Sequence, residues 1–187
     1  MQPEYIEQAA KAEDHVMKLL RKNGWTVVHN NGSLRELLAT PFKVPEEIKK
    51  GMNEDAQKYL NDLFITLKTR FKYMKCNKFD FIARKGNTTI MAEVKAKTGK
   101  DLEIDVPYYN IYREFDTVIP FLIFFYRKRK IRVAMTRNPK TEPIYPTHGA
   151  HDKMENVYTI HKNETMDLTE WLKKDCSLEE LRKLLPK

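Results

Sequence analysis

NKFDFIARKGNTTIMAEVKAK, residues 77–97, reads as two short strands folded about Gly86-Asn87. Both turn residues tolerate the positive φ of a primed hairpin turn, and the flanking segments alternate in polarity. A turn centred there sets Lys85 against Thr88, Arg84 against Thr89 and, further out, Asp80 against Glu93. Alternation then places Glu93, Lys95 and Lys97 on the face of Asp80, with Phe79, Phe81, Ala83, Ile90, Ala92, Val94 and Ala96 on the other. The expected hairpin has one core face and one charged face. Two carboxylates opposite each other have Cβ atoms roughly 5 Å apart and destabilise a sheet unless something neutralises them. A divalent cation, Mg²⁺ or Mn²⁺, is one neutraliser, because hard oxygen ligands suit it. Ion pairing with Lys95 and Lys97 on a solvated face is the other, and the hairpin alone leaves both open.

The chain has 187 residues, enough for one domain with a sizeable core, or one domain plus an elaboration. Charged residues at 32% and hydrophobic residues at 41% describe a globular chain and exclude a disordered one. A net charge of +8 suits a polyanionic partner such as nucleic acid. Cys76 and Cys176 form neither a disulfide framework nor a zinc ribbon, so a reducing interior is the simplest compartment. The first twenty residues lack the apolar core of a signal peptide, and TVIPFLIFFY is too short to span a bilayer. The expectation is an intracellular, cytoplasmic protein with no membrane association.

The opening helix has Pro3 and Glu4 near its start and Gly24 just past its end. Its apolar stripe runs Ile6, Ala9, Val16, Leu20, and continuing the spacing from Ala9 lands on Glu13. A carboxylate inside a buried stripe needs a cation or a hydrogen-bond network. In the other reading Ala12 carries the stripe and Glu13 edges into solvent. WTVVHN, from Trp25, reads as a first strand and Asn30 to Ser33 as its turn. Residues 41–74 form a helical insertion with the stripe Ile48, Met52, Ala56, Leu60, Leu63, Leu67, Phe71, for which packing on the sheet is the default. A second short helix begins near Pro107, TVIPFLIFFY is a strand buried on both faces, and RKRKIRVAM returns as another strand. Arg127 to Lys130 fall at the connecting turn, a solvated tip or one that contacts phosphate. A C-terminal extension, residues 138–187, holds a Pro-rich link in which His148 and His151 read as loop, a strand NVYTIH and two short helices. Ser177 and Glu180 form a capping-box pattern before the second helix.

The order helix, strand, hairpin, helix, strand, with Asp80, then twelve intervening residues, then Glu93-Val94-Lys95, resembles the PD-(D/E)xK nuclease superfamily. Phe79 stands where many members have proline. Glu13, in AEDHVMKLLRKNGWTVV, matches the position of a helix carboxylate found in members. The resemblance covers about Ala9 to Ala134, interrupted by the insertion. Within the superfamily it looks most like the archaeal-type Holliday-junction resolvases, through Gly32-Ser33 after the first strand. The insertion and the C-terminal extension depart from the compact resolvase pattern.

The resemblance implies a restriction-endonuclease-like α/β fold in a single domain over residues 1–187. Its core is αβββαβ with a mixed central sheet flanked by helices, extended by the insertion and a C-terminal helical tail. It implies a metal-dependent DNA endonuclease in which Asp80, Glu93 and the backbone carbonyl of Val94 ligate Mg²⁺ or Mn²⁺. Lys95 orients the attacking water or stabilises charge on the phosphate, and Glu13 binds the ion or holds one of its waters. Ser33, Lys97, Lys100, Tyr108 and Arg113 are the candidate DNA-backbone contacts, and a homodimer with paired sites suits a junction substrate. The alternative is a non-catalytic nucleic-acid-binding protein that keeps the fold.

Overall fold

In the computed structural model, which describes residues 3–30, 44, 46–70, 79–97, 102–116, 119–136, 147–148 and 156–185, the chain opens with helix α1 (Pro3–Lys22). A Schellman cap stops it. The Gly24 N–H donates to the Arg21 carbonyl and the Trp25 N–H to the Leu20 carbonyl, and Gly24 takes the φ of +84° that this cap requires. Strand β1 (Thr26–His29) follows, then helices α2 (Glu46–Lys49) and α3 (Glu54–Arg70). The hairpin comprises β2 (Phe81–Lys85) and β3 (Thr88–Ala96). After it come β4 (Leu102–Asp105), α4 (Val106–Asp116), β5 (Phe121–Arg127) and β6 (Lys130–Met135). The chain continues through β7 (Thr147–His148), β8 (Asn156–Ile160) and β9 (Met166–Asp167) to α5 (Leu168–Lys173) and α6 (Leu178–Arg182). Ser33, Pro41, Phe71, Met74, Cys76, Lys100, His151 and the Pro-rich link from 138 to 146 lie outside the described residues.

The fold is mixed α/β. Among the described residues six strands form a central sheet in the order β1-β2-β3-β5-β6-β9, in which β3 and β5 run parallel and the other neighbours antiparallel. A smaller sheet, β4-β8-β7, lies apart. The β4 strand interposes between the hairpin and α4, where the sequence had suggested a direct passage from strand to helix. Its partner β8 comes from the C-terminal segment, and no local periodicity announces a pairing across more than fifty residues.

The hairpin register is the expected one, with Lys85 opposite Thr88 and Phe81 opposite Ala92. Gly86 takes φ +56° while Asn87 stays outside the left-handed region, as a type II′ turn demands. The expectation of one core face and one charged face is corrected, because helices cover both. Phe81, Ala83, Ile90, Ala92 and Val94 pack with Ala12, Val16, Met17 and Leu20 of α1. On the opposite face Ile82 and Met91 pack with Ile48, Leu60, Tyr109, Tyr112 and Phe115. Phe79 joins this second cluster instead of the first, because the chain bends at Asp80. The insertion therefore packs on the sheet through Ile48 and Leu60. Ala12 carries the α1 stripe, while Ile6 is 56% exposed and outside it.

Strand β5 is buried on both faces, Phe121, Ile123 and Phe125 on one and Leu122 and Phe124 on the other. The C-terminal segment completes the core on the α1 side. Trp171 is fully buried, stacks on Trp25 at 6.0 Å between ring centroids, and donates its indole N–H to the Ser177 carbonyl at 3.0 Å. Trp171→Ala is expected to cost about 3–5 kcal/mol of unfolding free energy in urea titrations, through the cavity it leaves and the lost stacking. Ser177 caps α6, accepting from the Glu180 N–H. No helix among the described residues is long and apolar enough to cross a membrane.

Candidate carboxylate and lysine site

Asp80 occupies a break in the ladder. Its N–H donates to the Ala92 carbonyl of β3 at 2.8 Å, yet its own carbonyl accepts from the Asn30 N–H on the β1 side at 2.7 Å. In a regular strand both groups of a residue point to the same neighbour. The missing acceptor on β3 is supplied by the side chain: the Val94 N–H donates to Asp80 Oδ2 at 2.6 Å. The bend thus pins the carboxylate against β3, where it feels the charge of Glu93 and also that of Glu13 from α1.

Burial pushes the Asp80 carboxyl up to about 8, and the negative charges of Glu93 and Glu13 act in the same direction. The Val94 N–H and Lys95 oppose them. Glu93, 9% exposed, is raised by burial, against the pull of Lys95. Lys95 Nζ lies 2.5 Å from Glu93 Oε1. Burial alone favours the neutral amine, and the Glu93 carboxylate, helped by Asp80 and Asp105, holds Lys95 above its ordinary value. Its ammonium also sits over the Tyr108 and Tyr112 rings, 5.6 and 5.8 Å from their centroids. The buried Tyr112 hydroxyl lies against Glu93 without a hydrogen bond of normal geometry, and burial raises it well above the usual phenol range. Glu13, whose side chain is 23% exposed, contacts His29 through Oε2 and Nε2 at 3.1 Å.

The structure therefore brings Asp80, Glu93, Lys95 and Glu13 into one electrostatic neighbourhood at the open end of the hairpin. Among the described residues no three His, Cys, Asp or Glu side chains are placed to hold a metal ion as they stand. Lys95 occupies Glu93, and the Val94 N–H occupies Asp80. The character of the donor set nevertheless fits a divalent cation: hard carboxylate oxygens carry negative charge that one lysine does not balance.

The proposed DNA contacts fall in different places. Ser33 and Lys100 lie outside the described residues. Tyr108 is half-buried under Lys95. Arg113 is buried at 5% exposure, placing it in the interior where an open-surface contact had been expected. Lys97 is half-buried and pushed down, first by burial. Three members of the neighbourhood escaped the sequence analysis: His29, Asp105 and Tyr112. Alternation with Val27 in WTVVHN marked His29 as facing α1, and the four-residue step from Tyr108 marked Tyr112. Asp105 had no such signal.

A comparison with protein-family models gives no match, and one with curated proteins gives none either. Among solved structures the chain is similar to that of Archaeoglobus fulgidus Hjc, a Holliday junction resolvase from an archaeal hyperthermophile. The TM-score is 0.48 and the identity 13%, over 87% of this chain and 98% of that one.

Proposed function

We propose that the chain is a metal-dependent DNA endonuclease that hydrolyses phosphodiester bonds, with Asp80, Glu93, Lys95 and Glu13 as its working residues. The observation that carries this reading is Asp80, a buried carboxyl driven up to about 8 beside two further acids and a lysine. A purely structural ion pair has no need of the surplus acid. Asp80 and Glu93, with the Val94 carbonyl, would hold Mg²⁺ or Mn²⁺. A cation held there would supply polarisation of the phosphate and a more acidic attacking water. Lys95, paired with Glu93 in this structure, would bring a positive charge to the same pocket for a phosphate oxygen. His29 holds the Glu13 carboxylate in position, and the Tyr108 and Tyr112 rings lie against the lysine ammonium. The finer reading, a PD-(D/E)xK enzyme of αβββαβ core that prefers branched DNA and works as a two-fold dimer, is supported by the sequence resemblance.

The second reading, a nucleic-acid-binding protein without activity, has the Lys95–Glu93 pair in its favour, since that pair satisfies Glu93 with no cation. Linear duplex, single strands, supercoiled plasmid and a four-way junction, each incubated with Mg²⁺ and with EDTA, separate the two. The nuclease reading expects Mg²⁺-dependent cutting that disappears in Asp80→Ala and Lys95→Ala while binding persists. Binding with no metal-dependent cutting on any substrate supports the second reading. A thermal-shift titration supplies an independent measure. A divalent cation at a hundred times its Kd stabilises the native state by about 2.7 kcal/mol, a rise of about 5–10 °C in Tm, and Glu93→Gln removes most of it.

A further inference from the structure

The basic run at the β5–β6 turn is not absorbed by the carboxylate site. Lys128 and Arg129, the two loop residues, have φ of +46° and +65°, the left-handed pair of a type I′ turn. Asn-Gly takes this conformation readily, whereas two long side chains there store strain on the order of 1 kcal/mol each. The tip borders a cleft of about 370 Å³, lined by Gln8 and Lys11 of α1, Lys97 after β3, and Tyr126, Lys128 and Arg129. No carboxylate lines it among the described residues. Lys11 pairs with Glu7 along the helix, but both are exposed and the pair is weak. Lys97 stands two residues beyond Lys95, roughly 6.5 Å along the chain, so the cleft begins beside the carboxylate pocket. Lys128 also lines a second groove with Arg127, Lys130 and Arg132, whose lining includes one carboxylate, Asp167.

We propose that this cleft seats backbone phosphates of the DNA strand adjoining the carboxylate pocket, with the Lys128-Arg129 tip as its clamp. The identity of the ligand rests on the nuclease reading; the seat itself rests on the strained turn and on a lining that holds Lys11, Lys97, Lys128 and Arg129 and no carboxylate among the described residues. Cations at this spacing take phosphates without reading sequence.

The test is the double substitution Lys128→Asn, Arg129→Gly, which removes both cations while giving the turn its preferred residues. The protein should melt no lower than the parent. Its affinity for a fluorescein-labelled DNA duplex, read by anisotropy in EDTA, should fall about tenfold or more at low salt, and the slope of log K against log salt should shrink by about 1.8. Lys11→Gln, on an exposed helix face, should weaken binding in the same way to a lesser degree. Unchanged affinity and salt slope in the double variant overturn the proposal. So does equal loss of binding to phosphatidylserine vesicles that the parent binds as tightly as duplex, which assigns the tip to a lipid surface. Because EDTA excludes metal-dependent turnover, loss of duplex binding supports the seat even if the cutting assay fails, and cutting by a double variant with intact binding removes the seat alone.

Discussion

Asp80→Asn should raise the melting temperature of the metal-free protein at pH 8 to 9 while reducing Mg²⁺-dependent cutting on the order of 10²–10³-fold. The folded protein holds the Asp80 proton up to about 8, whereas an unfolded chain releases it near the ordinary value of 3.8. Between those values the native state binds more protons, so this group's contribution to stability falls as pH rises and is at its worst above 8. Glu93 and Glu13 face it with negative charge, and Lys95 and the Val94 N–H only partly offset them. At ~1.4 kcal/mol for each tenfold change in proton affinity, the ceiling is about 6 kcal/mol. Water penetration and side-chain relaxation leave about 2 kcal/mol as the expected gain, or about 4–8 °C. Asparagine keeps an acceptor for the Val94 N–H. Scanning calorimetry at pH 5 and pH 9 measures the difference: the advantage of the variant should shrink to roughly a third at pH 5, which still lies above the unfolded value, and at pH 9 saturating Mg²⁺ should cancel it by stabilising the parent alone. A variant no more stable at pH 9 than at pH 5, relative to the parent, defeats the prediction.

Lys95→Ala is expected to be the most damaging single change at the site. It strands the buried Glu93 carboxylate, whose partner stands 2.5 Å away in the parent. Breaking a buried ion pair from one side costs about 3–5 kcal/mol at neutral pH, and the loss should be smaller at acid pH, where Glu93 takes up a proton. Glu93→Gln together with Lys95→Ala should recover at least about 1.5 kcal/mol of that loss, since no charge is then left without a partner. Urea unfolding of the parent, the two single variants and the double variant yields the coupling directly. Additive single effects would mean that the pair does not hold the lysine in place. Cutting should be absent from both lysine variants, whereas recovered stability without recovered cutting separates the ion pair's structural role from its chemical one.

Much of the core was legible in the sequence because it follows from short-range rules. Gly86-Asn87 and strict alternation placed Phe81 opposite Ala92, and an unbroken apolar run marked β5 as buried on both faces. The spacing of Val16 and Leu20 and the glycine after α1 located that helix and its end, although the stripe reaches them through Ala12 and leaves Ile6 exposed. These properties depend on residues a few positions apart, where steric limits and periodicity decide.

The rest needed the folded chain. Alternation alone stood Asp80 on a face of the hairpin; the bend that turns its carbonyl toward Asn30 and its carboxylate toward Val94 depends on β1 lying alongside. The burial of Arg113, the packing of Ile82 and Met91, and the pairing of β4 with β8 depend on segments distant in the chain. Charge behaves the same way: that Asp80 and Glu93 are acids is written in the residues, but how strongly they resist ionisation is set by desolvation and by Glu13 and Lys95 converging from α1 and β3. The local pattern determined which groups are present and on which strands; only tertiary packing decided their distances and their exposure to water, because electrostatic energy depends on both and neither is a property of sequence neighbours.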